Sequence, residues 1–136
     1  MNFKKIFAFT LAAVLLISSL CVSAIKEEPI RPNWTYIKNV SGQLTYDSSA
    51  KAGEWSIDVK GNTSVVKITA DITVFHKQGN TWYEVDTWSR STASNALTAY
   101  DNFDAEEGES YKLVISAKAY TSSKTETASK TITKTF

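Results

Sequence analysis

Apolar and polar side chains alternate along the run that starts at Ser64. Val66, Ile68, Ala70, Ile72 and Val74 fall on one parity, and Lys67, Thr69, Asp71, Thr73 and Lys77 on the other. A period of two sends successive side chains to opposite faces, so the pattern predicts a strand buried on one face only. Gly79-Asn80 breaks the alternation, and an aromatic-rich run through Trp82, Tyr83 and Trp88 to Ser89 follows. Two such runs joined by a Gly-Asn turn predict a β-hairpin. His76 continues the inward parity of Val74 and reads as a structural or rim histidine.

The same period recurs on both sides of this hairpin. Trp34 and Tyr36 share a face in a short strand or edge segment near Asn33–Ile37, and Leu44 and Tyr46 share one in Gly42–Tyr46. After a turn-forming stretch from Asp47 to Gly53, Trp55, Ile57 and Val59 point inward while Glu54, Ser56, Asp58 and Lys60 point outward. Gly61-Asn62 marks the next turn. Ala96–Tyr100 fits a strand or one turn of helix, and the neighbouring pattern favours strand. Tyr111, Leu113, Ile115, Ala117 and Ala119 define a further buried face, and Ala128, Ile132 and Phe136 align on a Thr-rich last strand. About seven strands at short spacing, with turn signals between them and no 3.6-residue period, predict an all-β, antiparallel β-sandwich.

The first 24 residues read differently. Lys4-Lys5 is followed by an apolar run from Ile6 to Leu20 and by Val22-Ser23-Ala24, the arrangement of a signal peptide cleaved after Ala24. The expected organisation is a removed signal peptide over 1–24, an extended segment over 25–33 shaped by Pro29 and Pro32, and a β-sandwich domain over 34–136. A retained membrane anchor and a lipidated Cys21 are weaker alternatives; Leu20 is larger than the residue a lipoprotein signal places before its cysteine. Export predicts a secreted, extracellular or cell-envelope location.

Processing changes the charge and the cysteine content. Of 15 basic side chains Lys4 and Lys5 are removed, leaving 13 against 14 acidic, so the formal charge passes from +1 to −1. A near-neutral chain gives no electrostatic case for nucleic acid or, after cleavage, for a membrane surface. The single cysteine also leaves, so the mature domain holds together without disulfides.

Phe103-Asp104-Ala105-Glu106-Glu107-Gly108-Glu109-Ser110-Tyr111-Lys112-Leu113-Val114-Ile115-Ser116-Ala117 resembles the sixth-strand segment of fibronectin type III and related immunoglobulin-like domains. The resemblance implies that Tyr111 is a tyrosine corner, ring in the core and hydroxyl bonded to the preceding loop. Over most of its mature length the chain is also similar to small secreted β-sandwich proteins of Gram-positive bacteria that carry a domain of unknown function. The matching stretches are Arg31 to Ile37, Val65 to Phe75, Gly79-Asn80-Thr81-Trp82-Tyr83-Glu84-Val85-Asp86-Thr87-Trp88-Ser89, and Tyr111 to Tyr120. This second resemblance implies a fold and carries no catalytic residue across.

Candidate chemistry is sparse. His76 is the single histidine, and no serine lies in Gly-x-Ser-x-Gly, so nucleophilic hydrolysis finds little support. Asp101, Asp104, Glu106, Glu107 and Glu109 form an acidic loop, but without the spacing of an EF-hand. Whether that loop takes calcium is left open, and no cofactor is implied. Thr125, Thr127, Thr131, Thr133 and Thr135 resemble one rank of an ice-binding face, which needs several stacked ranks. Cross-strand packing or edge-strand solubility accounts for them better. The aromatic side chains are the best handle: Trp82, Tyr83, Trp88, Trp34 and Tyr36 are the candidate ligand-binding residues, able to stack against sugars or a partner protein. With Val85 facing inward, Trp82 and Trp88 point outward on a regular strand, whereas a bulge brings one of them into the core. The sequence therefore predicts a non-catalytic binding module for an extracellular protein or glycan, with a carbohydrate-binding module next and a hydrolase acting through the acidic loop a distant third.

Overall fold

The computed structural model describes residues 33–136; the expected signal peptide and the segment up to residue 32 lie outside the described residues. Seven strands follow in order: β1 (Ile37–Asp47), β2 (Ala52–Gly61), β3 (Lys67–Gln78), β4 (Thr81–Thr92), β5 (Ala96–Asp104), β6 (Ser110–Tyr120) and β7 (Thr125–Thr135). One sheet has the order β1-β2-β5 and the other β4-β3-β6-β7, and every pairing is antiparallel. The described chain is thus a β-sandwich of immunoglobulin and fibronectin type III character, with three hairpins and three crossings between sheets.

Alternation places the core between the sheets. Trp55, Ile57 and Val59 of β2, Ile68, Ala70, Ile72 and Val74 of β3, and Tyr111, Leu113, Ile115, Ala117 and Ala119 of β6 are all buried. The two central strands of the larger sheet supply most of this layer because both of their edges are paired. Close approach of the sheets restricts two small residues. A Cβ on Gly42 would lie 2.7 Å from Ile115, and one on Gly53 would lie 2.3 Å from the Phe103 ring.

Three expectations change. Val66 does not share the buried face of Ile68: it precedes β3, is 56% exposed, and donates its amide to the Tyr120 carbonyl, while Val65 is buried in its place. Asn33–Ile37 and Gly42–Tyr46 are not two strands, because β1 runs unbroken from Ile37 to Asp47. A register shift between Ile37 and Asn39 makes Lys38 an extra residue, so Ile37 and Val40 both face inward despite opposite parity. The acidic stretch is also divided, since Asp101 to Asp104 belong to β5 and only residues 105–109 connect it to β6.

The turns follow local chemistry. Gly79 has φ of 61° at the first position of the two-residue β3–β4 turn, the left-handed conformation that glycine adopts without steric cost. In the β1–β2 turn the Asp47 carboxylate accepts from the Ser49 hydroxyl at 2.6 Å and from the Ser49 and Ala50 amides at 2.8 and 3.2 Å. The Ser49 hydroxyl, followed by those amides, holds the Asp47 carboxyl below the usual carboxylate range.

On β7, Glu126 occupies the inward parity beside Ala128. Its Oε1 accepts from the Thr35 amide at 2.7 Å, and its Oε2 from the Tyr36 and Ile37 amides at 2.8 and 2.6 Å. This carboxylate fixes the start of β1 against the far edge of the other sheet.

Candidate binding site

The hairpin β3–β4 decides which tryptophan is available to a ligand. Val74 pairs with Asp86, but the next residue, Phe75, pairs with Glu84, leaving Val85 as an extra residue in β4. This bulge reverses the facing of β4 on its two sides. Trp88, opposite Ile72, turns inward and packs on Trp55 with ring centroids 5.2 Å apart. Trp82, opposite Lys77, turns to the outer face of the four-stranded sheet. The bulge alternative weighed for this strand is therefore the one realised, and Val85 itself is 37% exposed instead of facing the core.

Trp82 is half-buried on that outer face, and cations cover its ring. The Lys112 ammonium stands 4.6 Å from the Trp82 centroid and 4.9 Å from that of Phe75, and the Lys77 ammonium is 5.9 Å from Trp82. Lysine stems cover the rings while their charged ends are held over the negative π faces. The ion pairs among the described residues are Lys60–Asp58, His76–Glu109 and Arg90–Asp101, so neither Lys77 nor Lys112 has a carboxylate partner there.

The surface beyond Trp82 is rich in hydroxyls. Register places Thr133 beside Lys112, Thr131 beside Val114 and Thr127 beside Lys118, with the threonines of β7 all outward. Thr73 and Thr87 share a 3.2 Å hydrogen bond on the same face, and Ser89 donates to Asp71 at 2.6 Å. At the far end Lys67 lies over the Tyr120 ring at 5.4 Å.

The other aromatic candidates do not join this surface. Trp34 and Tyr36 are half-buried against the core at the opposite end of the sandwich, beside the Glu126 clamp, and Trp88 packs on Trp55, whose ring also has the Arg90 guanidinium 5.7 Å from its centroid. Arg90 in turn pairs with Asp101 at 2.8 Å. The Trp55 indole is fully buried, and its Nε1 has no hydrogen-bond partner among the described residues. Tyr83, opposite His76, is 52% exposed.

A concavity lies beside His76. A cavity of about 280 Å³ is lined by Lys51, His76, Val85, Asp104, Ala105, Glu106 and Tyr111. His76 Nε2 is 3.0 Å from Glu109 Oε2, and its ring stacks on Tyr111 at 4.9 Å. The buried Tyr111 hydroxyl accepts from the Glu106 amide at 2.8 Å, the geometry of a tyrosine corner. Burial pushes the Tyr111 pKa above its ordinary value, with the Glu106 amide pulling the other way. His76 and Tyr111 are thereby engaged with each other and with the 105–109 connection. Among the described residues no three His, Cys, Asp or Glu side chains converge to hold a metal ion.

Phe75, Lys77 and Lys112 went unnoticed as candidates in the sequence. Phe75 stands out of register, a large apolar residue on the polar parity of β3, and that was the available signal. Lys112 carried none, because the ring it covers belongs to a strand that reaches it only through the bulge.

No family profile matches the sequence, and no curated protein matches it. Solved structures that share its outline include a β-glucuronidase from Parabacteroides merdae, at TM-score 0.48 and 10% identity over 72% of this chain. The same enzyme with glycerol in its active site gives 0.47 and 10% over 71%, and β-glucuronidase 3 from Bacteroides uniformis gives 0.45 and 17% over 71%. The chain spans 12–13% of the length of these enzymes, and likeness at this level carries no functional argument.

Proposed function

We propose that this chain is an exported, non-catalytic binding module that meets its ligand on the outer face of the four-stranded sheet around Trp82. The observation that carries the reading is the turning of Trp82 out of the core by the Val85 bulge, onto a face where it is flanked by Phe75, Lys77 and Lys112. A carbohydrate ligand is the form of this reading that the surface favours. The face is lined with hydroxyl groups, and of the large exposed apolar residues Tyr100 lies on the other sheet and Tyr83 on the opposite parity of β4. Protein partners are more often gripped by apolar or aromatic anchors in a desolvated centre.

A hydrolase role gains little support from the acidic residues. Asp101 is held by Arg90 and Glu109 by His76, so two of the five carboxylates are committed to structural partners.

The test is tryptophan fluorescence of the secreted form titrated with soluble polysaccharides. Saturable quenching that disappears in Trp82→Ala but persists in Trp34→Ala is expected. Binding that survives Trp82→Ala unchanged rejects the site, and turnover of any glycoside lost in Asp101→Asn or Asp104→Asn rejects the non-catalytic reading. The export half is tested separately by amino-terminal sequencing of protein from the medium, which should begin at Ile25.

A further inference from the structure

We infer that the ligand of this face is an anionic polysaccharide, its carboxylate or sulfate groups taken by Lys112 and Lys77 beside Trp82. The inference rests on the binding-face reading above and specifies the chemistry of the ligand.

The argument starts from Lys112. Its ammonium is held between two aromatic rings, 4.9 Å from Phe75 and 4.6 Å from Trp82, so it is positioned before any ligand arrives. A second ammonium, Lys77, approaches the same indole at 5.9 Å. Two cations gathered on one ring repel each other, and the ring quadrupole offsets only part of that repulsion. Neither ammonium has a carboxylate partner among the described residues. An anion placed between them removes the repulsion and meets donors whose entropy is already restricted.

Charge on the rest of the face agrees. The outward positions of β6 and β7 carry Lys112, Lys118, hydroxyl side chains, Val114 and Tyr120, with no carboxylate. The two acids on the face are on β3 and β4: Asp71, which is bonded to Ser89, and Glu84, which stands opposite Phe75 two residues from Trp82. The cationic, hydroxyl-lined half therefore continues away from Trp82 along β6 and β7. An extended chain with a repeating negative charge and many hydroxyls fits it, whereas an acidic peptide would lack apolar anchor points there.

The experiment compares polygalacturonate with the same backbone fully methyl-esterified, which keeps the sugar rings and removes the charge. Alginate and chondroitin sulfate serve as further carboxylate and sulfate arms, and a DNA duplex as a polyanion without pyranose rings. Calorimetric titration of the secreted form should show binding to at least one anionic glycan. Binding should be about tenfold weaker for the esterified backbone or for Trp82→Ala, and about threefold to fivefold weaker for Lys112→Gln or Lys77→Gln. It should also fall with added salt, and Lys60→Gln on the opposite sheet should leave it unchanged. Lysine-to-glutamine variants on the outer face keep the test independent of any folding defect in Trp82→Ala. Equal, Trp82-dependent binding of charged and esterified backbones overturns the anionic assignment while leaving the binding face in place. Equally tight binding of the DNA duplex through the same lysines overturns the polysaccharide assignment. Absence of Trp82-dependent binding to every glycan overturns both this inference and the reading on which it rests.

Discussion

Replacing Glu126 disconnects the start of β1 from β7. Its carboxylate receives three backbone amides, from Thr35, Tyr36 and Ile37, at 2.6 to 2.8 Å. A hydrogen bond to a charged group contributes about 1.5–3 kcal/mol where water is excluded. Here the Thr35 bond is exposed and the other two are part-buried, so water replaces part of what is lost. We therefore expect a loss of about 2 kcal/mol for Glu126→Ala. For Glu126→Gln, whose single carbonyl oxygen still serves Tyr36 and Ile37, the loss is about 1 kcal/mol. In a domain of this size about 1 kcal/mol moves Tm by about 4–8 °C, so calorimetry resolves both variants. The pH dependence separates a charged clamp from simple packing. Desolvation raises the Glu126 pKa, but the three amides outweigh it and hold the folded value below the ordinary one. A depressed folded pKa means a contribution complete above the unfolded value, about 4.3, and lost as pH falls through the folded value. The Tm gap between wild type and Glu126→Gln should be constant from about pH 7 to 5 and should close below about pH 4. A gap that persists unchanged at the acid end, or a Glu126→Ala melt within about 1 °C of wild type, refutes the clamp.

Other substitutions test separate parts of the fold. Gly53→Ala would bring a Cβ to 2.3 Å from the Phe103 ring, which is itself confined by Tyr111 at 5.4 Å. Overpacking of this kind should cost about 2 kcal/mol, read as a lower urea midpoint at constant slope. Trp88→Ala, which empties the space against Trp55, should lower stability by about 2–3 kcal/mol. Trp82→Ala on the outer face should cost about 1 kcal/mol or less, and the reverse order in thermal melts would contradict the bulge. Lys51 has φ of 51°, so Lys51→Gly should raise Tm by a few degrees, because glycine enters the left-handed region without Cβ strain.

How far the sequence could be read depended on whether each strand kept its parity. β2, the body of β3, and β6 are regular and paired on both edges, and their buried residues follow the alternation from Trp55 to Val59, Ile68 to Val74 and Tyr111 to Ala119. The rule broke at one edge strand and at the entry to β3. In β1 the extra residue Lys38 made one strand look like two, and at Val65-Val66 the chain enters β3 by a turn, so the first valine takes the buried place. Glu126 was legible in principle. A lone carboxylate on the parity of Ala128 and Ile132 is a charge pointing inward on an edge strand, a device that also discourages sheet-to-sheet aggregation. Its three amide partners lie 89 to 91 residues away, and no local pattern records such a distance.

The candidate site was hidden for the same reason. Trp82 and Trp88 share a parity in the sequence, so a regular β4 would send both to one face; both inward leaves no ligand platform, and both outward leaves Trp55 uncovered. One extra residue at Val85 resolves this conflict, placing Trp88 on Trp55 at 5.2 Å and Trp82 under Lys112 at 4.6 Å. The bulge sits in an edge strand, where only one ladder is disturbed, and against β3, whose other edge is held by β6 in unbroken register. Core and surface can then vary separately. Inward substitutions at Trp88 act on stability through Trp55, whereas changes at Trp82, Lys77 or Lys112 act on a face that the core does not use. A single strand thus carries one aromatic in the core and one on the outer face, and the residue that separates them is the exposed valine between.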